Sequence, residues 1–299
     1  MLKTGVILLD KPPGISSFAA LSRAKAVVGR KVGHTGTLDP FATGLLVALA
    51  GRATRCARYF SGLPKRYDAT YRFGTATDTD DSTGEVITTV DPPDLSCIDA
   101  VLSDFTGTFD QLPPDYSAIH VDGKRAYAIA RSGERPNLAL RTVTVYEHTL
   151  VATREAEVDV SIACSSGTYV RSLARDIGTR LASAAHVSAL RRTAVGPFLV
   201  DEAVLPDSFT ESQLHDLGDS LVRLPGLVVC NVSSDVAQIA RNGGRIHPDQ
   251  VPSLDRGAPP DPDTPYLLIG DGDAIAVGVW DSDRFDYHAV LAGAADAGD

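Results

Sequence analysis

Residues 6–9 form a short apolar run that stops at Asp10-Lys11-Pro12-Pro13-Gly14. This predicts a strand entering a rigid turn, because Pro and Gly interrupt both helix and sheet. Phe18, Leu21, Ala24 and Val28 recur at helical spacing. A helix capped by Ser16 or Ser17 is therefore expected through Val28, with Gly29 ending it. Residues 32–43 lack periodicity and read as a loop. Residues 45–50 are uniformly apolar and read as a buried strand. Residues 53–60 fit a helix, on which Arg52, Arg55 and Arg58 are spaced three apart and point roughly the same way. Alternation over residues 67–73, ended by Gly74, predicts a strand, and the acidic stretch 75–84 a loop. Helical spacing returns at 98–105 and 126–132, with an extended stretch at 108–117 around Pro113-Pro114. Strands are expected at 142–151, 157–163 and 186–195. Between the last two, Val170, Leu173, Ala174, Ile177 and Leu181 give residues 168–181 one apolar face.

A boundary falls near Pro225, dividing the chain into residues 1–222, residues 223–292 and a disordered tail, 293–299. Within the second part, residues 238–246 read as a short helix and glycine turn. The Pro- and Asp-rich stretch 251–265 reads as an extended or disordered loop. The apolar runs 266–269 and 274–280 are joined by Asp271-Gly272-Asp273, a hairpin signal. Hairpins mixed with helices, without regular strand–helix alternation, point to an α+β fold.

Composition narrows the class. Hydrophobic residues make up 43% of 299 positions, enough for a substantial core, but aromatics are only 6%, so aliphatic side chains must fill it. No apolar run approaches the roughly 20 residues that span a bilayer. The N-terminus carries no secretory pattern, so a cytoplasmic protein is expected. Four scattered cysteines without a C-x-x-C pair disfavour a zinc ribbon or a disulfide framework. The net charge of -10 argues at first against a nucleic-acid partner. Its distribution changes that. Residues 1–66 carry 11 Lys/Arg against 2 Asp/Glu, and residues 171–196 carry 5 against 1, balances of +9 and +4. Residues 67–170 and 197–299 stand at -10 and -13. A polyanion feels the local field, so two basic blocks that meet in space would form a basic face; if they lie apart they are ordinary solvated surface.

The densest candidate for chemistry is Gly33-His34-Thr35-Gly36-Thr37-Leu38-Asp39-Pro40-Phe41-Ala42-Thr43-Gly44. Its glycines permit close backbone approach to a ligand, and Pro40 pushes Asp39 toward an extended conformation, a way to present one carboxylate on a stiff loop. A surface turn in which Asp39 bonds its own backbone has the same composition. Tyr67, after Lys65 and Arg66, offers a stacking face beside two cations. Arg171 lies near a helix N-terminus, where a cation is disfavoured, so a partner carboxylate is expected, with Asp39 the attractive one. The P-loop, H-E-x-x-H and G-x-S-x-G patterns are absent, which disfavours a P-loop nucleotidase, a zinc site and a serine hydrolase. Cys164 has no evident activating histidine and reads as a structural thiol.

These residues carry a resemblance. The loop from Gly33 to Gly44 resembles the signature loop of the bacterial tRNA pseudouridine-55 synthases, the TruB family. Leu9-Asp10-Lys11-Pro12, Lys65-Arg66-Tyr67, the acidic loop Thr77-Asp78-Thr79-Asp80, the block from Pro113-Pro114 to Tyr127, and Gly167-Thr168-Tyr169-Val170-Arg171 followed by Leu190-Arg191-Arg192 resemble further family motifs, in order across residues 5–196. The resemblance implies the pseudouridine synthase fold: a mixed, mostly antiparallel sheet with flanking helices and a central cleft. Residues 1–222 would be the catalytic part and residues 223–292 a small PUA-like RNA-binding β domain.

By the same resemblance, a T-loop uridine at tRNA position 55 is isomerised by base flipping, glycosidic cleavage, rotation of the uracil and rejoining through C5. Asp39, Tyr67 and Arg171 would be catalytic; Asp39 either attacks the sugar or removes a sugar proton. His34, Lys11, Thr37, Tyr169, Leu190, Lys65, Arg66 and His120 would bind substrate. At His120 the chain departs from a lysine that family members often carry, making that RNA contact pH-dependent. No metal, nicotinamide or ATP is required. The partner would be the T arm of tRNA, bound by a monomer without guide RNA or membrane. Rival readings are an RNA-folding module, a guide-dependent relative and a sister enzyme acting on ribosomal RNA.

Overall fold

The computed structural model describes residues 3–291, apart from positions 122, 253, 255–260, 262 and 282. The tail 293–299 lies outside these residues, as does much of the 251–265 stretch. β1 (Gly5–Lys11) leads into two short helices, α1 (Ser17–Ala20) and α2 (Ser22–Val28), in place of the single helix expected. Ser16 caps α1 through the Ala19 N–H at 3.1 Å. β2 (Val32–His34) pairs with β3 (Thr43–Ala50), giving a strand inside the stretch read as a loop. A 3-10 turn, Gly51–Cys56, runs into α3 (Ala57–Ser61) where one helix was expected. β4 (Lys65–Phe73) follows, then a small ribbon of β5 (Thr75–Thr77) and β6 (Val86–Thr89). Next come α4 (Ile98–Asp104), β7 (Gly107–Gln111) and a second ribbon, β8 (His120–Val121) with β9 (Lys124–Arg125), ahead of α5 (Ala126–Arg131). β10 (Arg141–Arg154), β11 (Glu157–Cys164), α6 (Val170–Arg180), β12 (Ala185–Val195), β13 (Phe198–Leu199) and α7 (Leu217–Val222) complete the larger unit.

The main sheet runs β1-β3-β12-β4-β11-β10-β7, with β2 on β3 and β13 on β12. Only β3 and β12 pair in parallel within it, among the described residues, so the sheet is mixed and mostly antiparallel, as expected. β1 and β3 read as continuous apolar runs because both of their faces are covered. Ile7, Leu9, Leu46 and Ala48 pack with α1, α2 and α6, while Val6, Leu8, Leu45, Val47 and Leu49 face the other way.

That second face is closed by a smaller four-stranded sheet of β14 (Val228–Asn231), β15 (Tyr266–Gly270), β16 (Asp273–Asp281) and β17 (Arg284–Val290), with α8 (Ser234–Arg241) beside it. Leu267, Val277 and Ala289 share one apolar cluster with Leu45, Val47 and Leu49. From the arginine row, Arg52 and Arg55 donate to the Leu291 and Val290 carbonyls at 3.3 and 3.4 Å, at the end of β17. No helix among the described residues is long and apolar enough to cross a membrane.

Candidate active site

Asp39 is held in place from both sides. The Ser17 hydroxyl donates to the Leu38 carbonyl and accepts from the Leu38 N–H, both at 2.8 Å. On the other side, the Pro40 carbonyl accepts from Lys11 Nζ at 3.1 Å and from the Gly14 N–H at 2.8 Å. Ser16 takes the helix cap, which leaves Ser17 for the loop. The carboxylate then projects into a cleft of about 270 Å³ lined by Thr35–Asp39 on one side, by Lys65, Tyr67, Leu190 and Arg192 from the sheet, and by residues 165–171 leading into α6.

Arg171 is the electrostatic centre. Its side chain is only 4% exposed, against 34% for Asp39, so a buried cation supports a carboxylate that remains accessible. Nε lies 2.9 Å from Asp39 Oδ2, a charge contact rather than a well-directed hydrogen bond. Nη1 donates to the Thr79 carbonyl at 2.7 Å and Nη2 to the Tyr116 carbonyl at 2.9 Å. Asp81, itself buried, sits 3.5 Å from Nη1. Asp81 is fixed in turn by Thr79 and by the Thr83 N–H and hydroxyl, at 2.8, 2.9 and 2.6 Å. The cation disfavoured at the start of α6 is thus compensated by two carboxylates and two carbonyls.

Although part of its surface is open to the cleft, enclosure of the Asp39 carboxyl by the surrounding protein outweighs the attraction of Arg171 and, helped by the nearby Asp81 charge, holds it above the usual carboxylate range. Burial likewise raises the Tyr67 phenol, against the opposing pull of the adjacent Arg192 guanidinium. Lys65 lines the cleft, donates to the Ser61 carbonyl at 2.7 Å and is lowered to about 8 by burial and by Arg192. Burial pushes the Cys164 thiol up to about 11, as fits a structural cysteine.

Of the residues singled out in the sequence, Asp39, Tyr67, Arg171, Thr37, Tyr169, Leu190 and Lys65 converge on this cleft. Tyr169 is fixed through its backbone, whose N–H donates to Gln111 and whose carbonyl accepts from it, at 2.9 and 3.1 Å. Two others are placed differently from a substrate contact. Lys11 is fully buried, with Nζ on the Pro12, Ile15 and Pro40 carbonyls, so it clamps the loop instead of facing the cleft. Strand alternation turns Arg66 to the opposite face from Lys65 and Tyr67, where it pairs with Glu147 at 2.8 Å. His34, half-buried on β2, and His120, exposed on the β8–β9 ribbon, lie outside the cleft lining. Sequence reasoning gave Ser17 only a helix cap and assigned no site role to Asp81 or Arg192. Their partners are mostly backbone groups or side chains brought close by the fold, which leave no local pattern.

Arg192 is 2% exposed. It donates from Nε to the Leu45 carbonyl at 2.7 Å, from Nη2 to the Gly36 carbonyl at 3.0 Å and from Nη1 to the Thr37 carbonyl at 3.4 Å.

The comparisons with known proteins bear on the same residues. The TruB family pseudouridylate synthase N-terminal domain matches residues 24–170, and the tRNA pseudouridylate synthase B C-terminal domain matches residues 171–223. The chain is 41% identical over 256 residues to tRNA pseudouridine synthase B of Thermobifida fusca (strain YX), covering 82% of this chain and 87% of that one. It is 39% identical over 281 residues to tRNA pseudouridine synthase B of Nocardia farcinica (strain IFM 10152), covering 91% and 88%. A chain in the crystal structure of a Cbf5-Nop10-Gar1 complex shares the fold, with a TM-score of 0.69 at 24% identity over 96% of this chain and 84% of that one. The matched segments take in the Asp39 loop, Tyr67 and Arg171 in one continuous stretch, and on this similarity the chain belongs to the TruB family of pseudouridylate synthases.

Proposed function

We propose that this protein isomerises a uridine of tRNA to pseudouridine, acting on the T-loop uridine at position 55 with Asp39 as the catalytic carboxylate. The observation that carries the reading is the accessible Asp39 carboxylate on the buried Arg171, in a cleft floored by Tyr67 and Leu190. A base inside a structured loop must be extruded to be reached, at a cost of a few kcal/mol. Stacking on an aromatic face such as Tyr67 returns roughly 1–3 kcal/mol.

With the uridine seated, the N1–C1′ bond breaks and its electron pair passes to the uracil. Asp39 acts at the sugar, by attack at C1′ or by removing a sugar proton. The uracil turns and C5 bonds to C1′ as the Asp39–C1′ bond breaks or, on the other route, as the sugar proton returns; the C5 proton then leaves with help from Tyr67, and N1 takes up a proton. Asp39 and Tyr67, the two side chains these steps use, both line the cleft. On the same reading residues 1–222 carry catalysis. Residues 223–292 form a PUA-like unit that contacts RNA.

The test is an unmodified tRNA transcript incubated with the protein and with Asp39→Asn, pseudouridine being mapped at single-nucleotide resolution and binding measured in parallel. The expected result is conversion of one T-loop uridine without added cofactor, and an Asp39→Asn protein that binds tRNA but converts none. Wild-type protein that binds tRNA and forms no pseudouridine would overturn the reading in favour of RNA folding alone.

A further inference from the structure

A buried arginine is expensive unless its five N–H donors are engaged. Arg192 is almost fully buried, yet no ion pair among the described residues includes it; its acceptors are the neutral carbonyls of Gly36, Thr37 and Leu45. A neutral side chain or a water could satisfy carbonyls at lower desolvation cost, so the fixed charge and the planar fork call for an explanation.

Three placements supply one. Arg192 stands directly opposite Tyr67 in the β12–β4 register. Its side chain reaches back from there to the loop that carries Asp39, ending close enough to Gly36 that a Cβ at that position would lie 3.6 Å from Nη1. Its own backbone is drawn onto Gly44, where an added Cβ would fall 2.2 Å from the Arg192 carbonyl oxygen. One residue therefore touches the loop, the start of β3 and the strand carrying the tyrosine.

We propose that Arg192 is a positioning residue for the reaction: its guanidinium fixes the Asp39 loop and the Tyr67 ring at one separation and leaves a cation, unpaired with any carboxylate among the described residues, on the cleft floor. The cation is where charge develops, since the electron pair of the broken N1–C1′ bond enters the uracil ring stacked beside Tyr67, and a preorganised charge stabilises it without reorganisation. The same charge disfavours protonation of Lys65 and Lys11, which agrees with its place among them. This inference rests on the pseudouridine synthase reading of the cleft.

The experiment measures single-turnover conversion of an unmodified tRNA transcript by the full-length protein, by Arg192→Lys and Arg192→Gln, and by each combined with Tyr67→Phe. Both single variants are expected to lose about 100-fold in rate, the size of effect that a 1 Å misplacement produces. Affinity for tRNA should stay within about threefold, since phosphate contacts dominate it. Lysine should not restore the rate, because one ammonium cannot replace a planar fork aimed at separate carbonyls. Losses on adding Tyr67→Phe should fall well short of multiplying. Full activity in Arg192→Lys, multiplying losses, or a rate that falls only as far as the melting temperature does would each overturn the proposal. If Arg192→Gln does not fold, Arg192→Lys, which keeps the buried charge, carries the test. Wild-type protein that forms no pseudouridine overturns the functional reading and this inference together, whereas active wild type beside fully active variants overturns this inference alone.

Discussion

Asp39 and Arg171 divide one task between an accessible anion and a buried cation. The cation is immobilised by the Thr79 and Tyr116 carbonyls and by Asp81, so it cannot follow Asp39 if the carboxylate moves. Because burial raises the Asp39 carboxyl, and a group that attacks a sugar or takes its proton must be ionised, activity should fall as pH drops through that raised value. The acid limb of kcat/KM against pH, which reports the free protein, should therefore lie above the ordinary carboxylate range. Arg171 is the largest influence lowering that value, so Arg171→Met should move the limb to still higher pH. It should also reduce kcat by roughly 10²–10³-fold, as loss of an oriented charge does. An unmoved limb would show that Asp39 is not the titrating group. At this scale the sequence was informative about which groups converge on the cleft. Asp39 stands on a glycine- and proline-bounded loop, and Arg171 conflicts with its helix terminus. It was less informative about what holds them. Lys11, a substrate contact by the family resemblance, has its Nζ on the loop's carbonyls; Ser17, one of two candidate helix caps, anchors the loop.

The elements carrying these residues meet where a glycine lets them. Gly44 has φ +99° and faces the Arg192 backbone where β3 and β12 pair in parallel. Alanine there meets both a conformational penalty of about 1–3 kcal/mol and a steric one. Gly44→Ala should lower Tm by roughly 5–10 °C, at about 2–4 °C per kcal/mol for a chain of this size, measured by thermal unfolding. Its activity should fall further than its stability, since the displaced strand carries Leu190 and Arg192; equal losses would mean that the junction is structural only. Elements with strong periodicity were legible in the sequence to within a residue or two, among them β4, β11, β12 and α6. Those that exist only through a partner were not. Val32–His34 has no alternation and is a strand because β3 offers an edge. Val86–Thr89 is held in a ribbon by β5 with every residue exposed. The helix expected through Val28 is interrupted at Leu21, which ends α1 and precedes α2.

Over the whole molecule, the charge pattern and the two sheets answer separate questions. The basic blocks 1–66 and 171–196 do meet: they supply β3 and β12, which are paired, and Asp39 and Arg171, which are in contact. Several of their cations are spent inside, with Lys11, Lys65, Arg171 and Arg192 buried and Arg191 paired with Asp10 at 2.8 Å. The field reaching an RNA is therefore weaker than the counts of +9 and +4 suggest. The smaller sheet does a different job. It covers the face of β1 and β3 opposite α1, α2 and α6, where Leu8, Leu45, Val47 and Leu49 pack on Leu267, Val277 and Ala289. Whatever it contributes to RNA binding, it is part of the main sheet's core. A chain ending after Leu224 would leave those aliphatic side chains facing water, and exposed apolar patches of this kind drive association. Such a truncated protein should bind a hydrophobic dye, lose its cooperative melt and convert no tRNA. Retention of a sharp transition and of stem-loop conversion by the truncated chain would show that α7 alone suffices to close the back of the sheet.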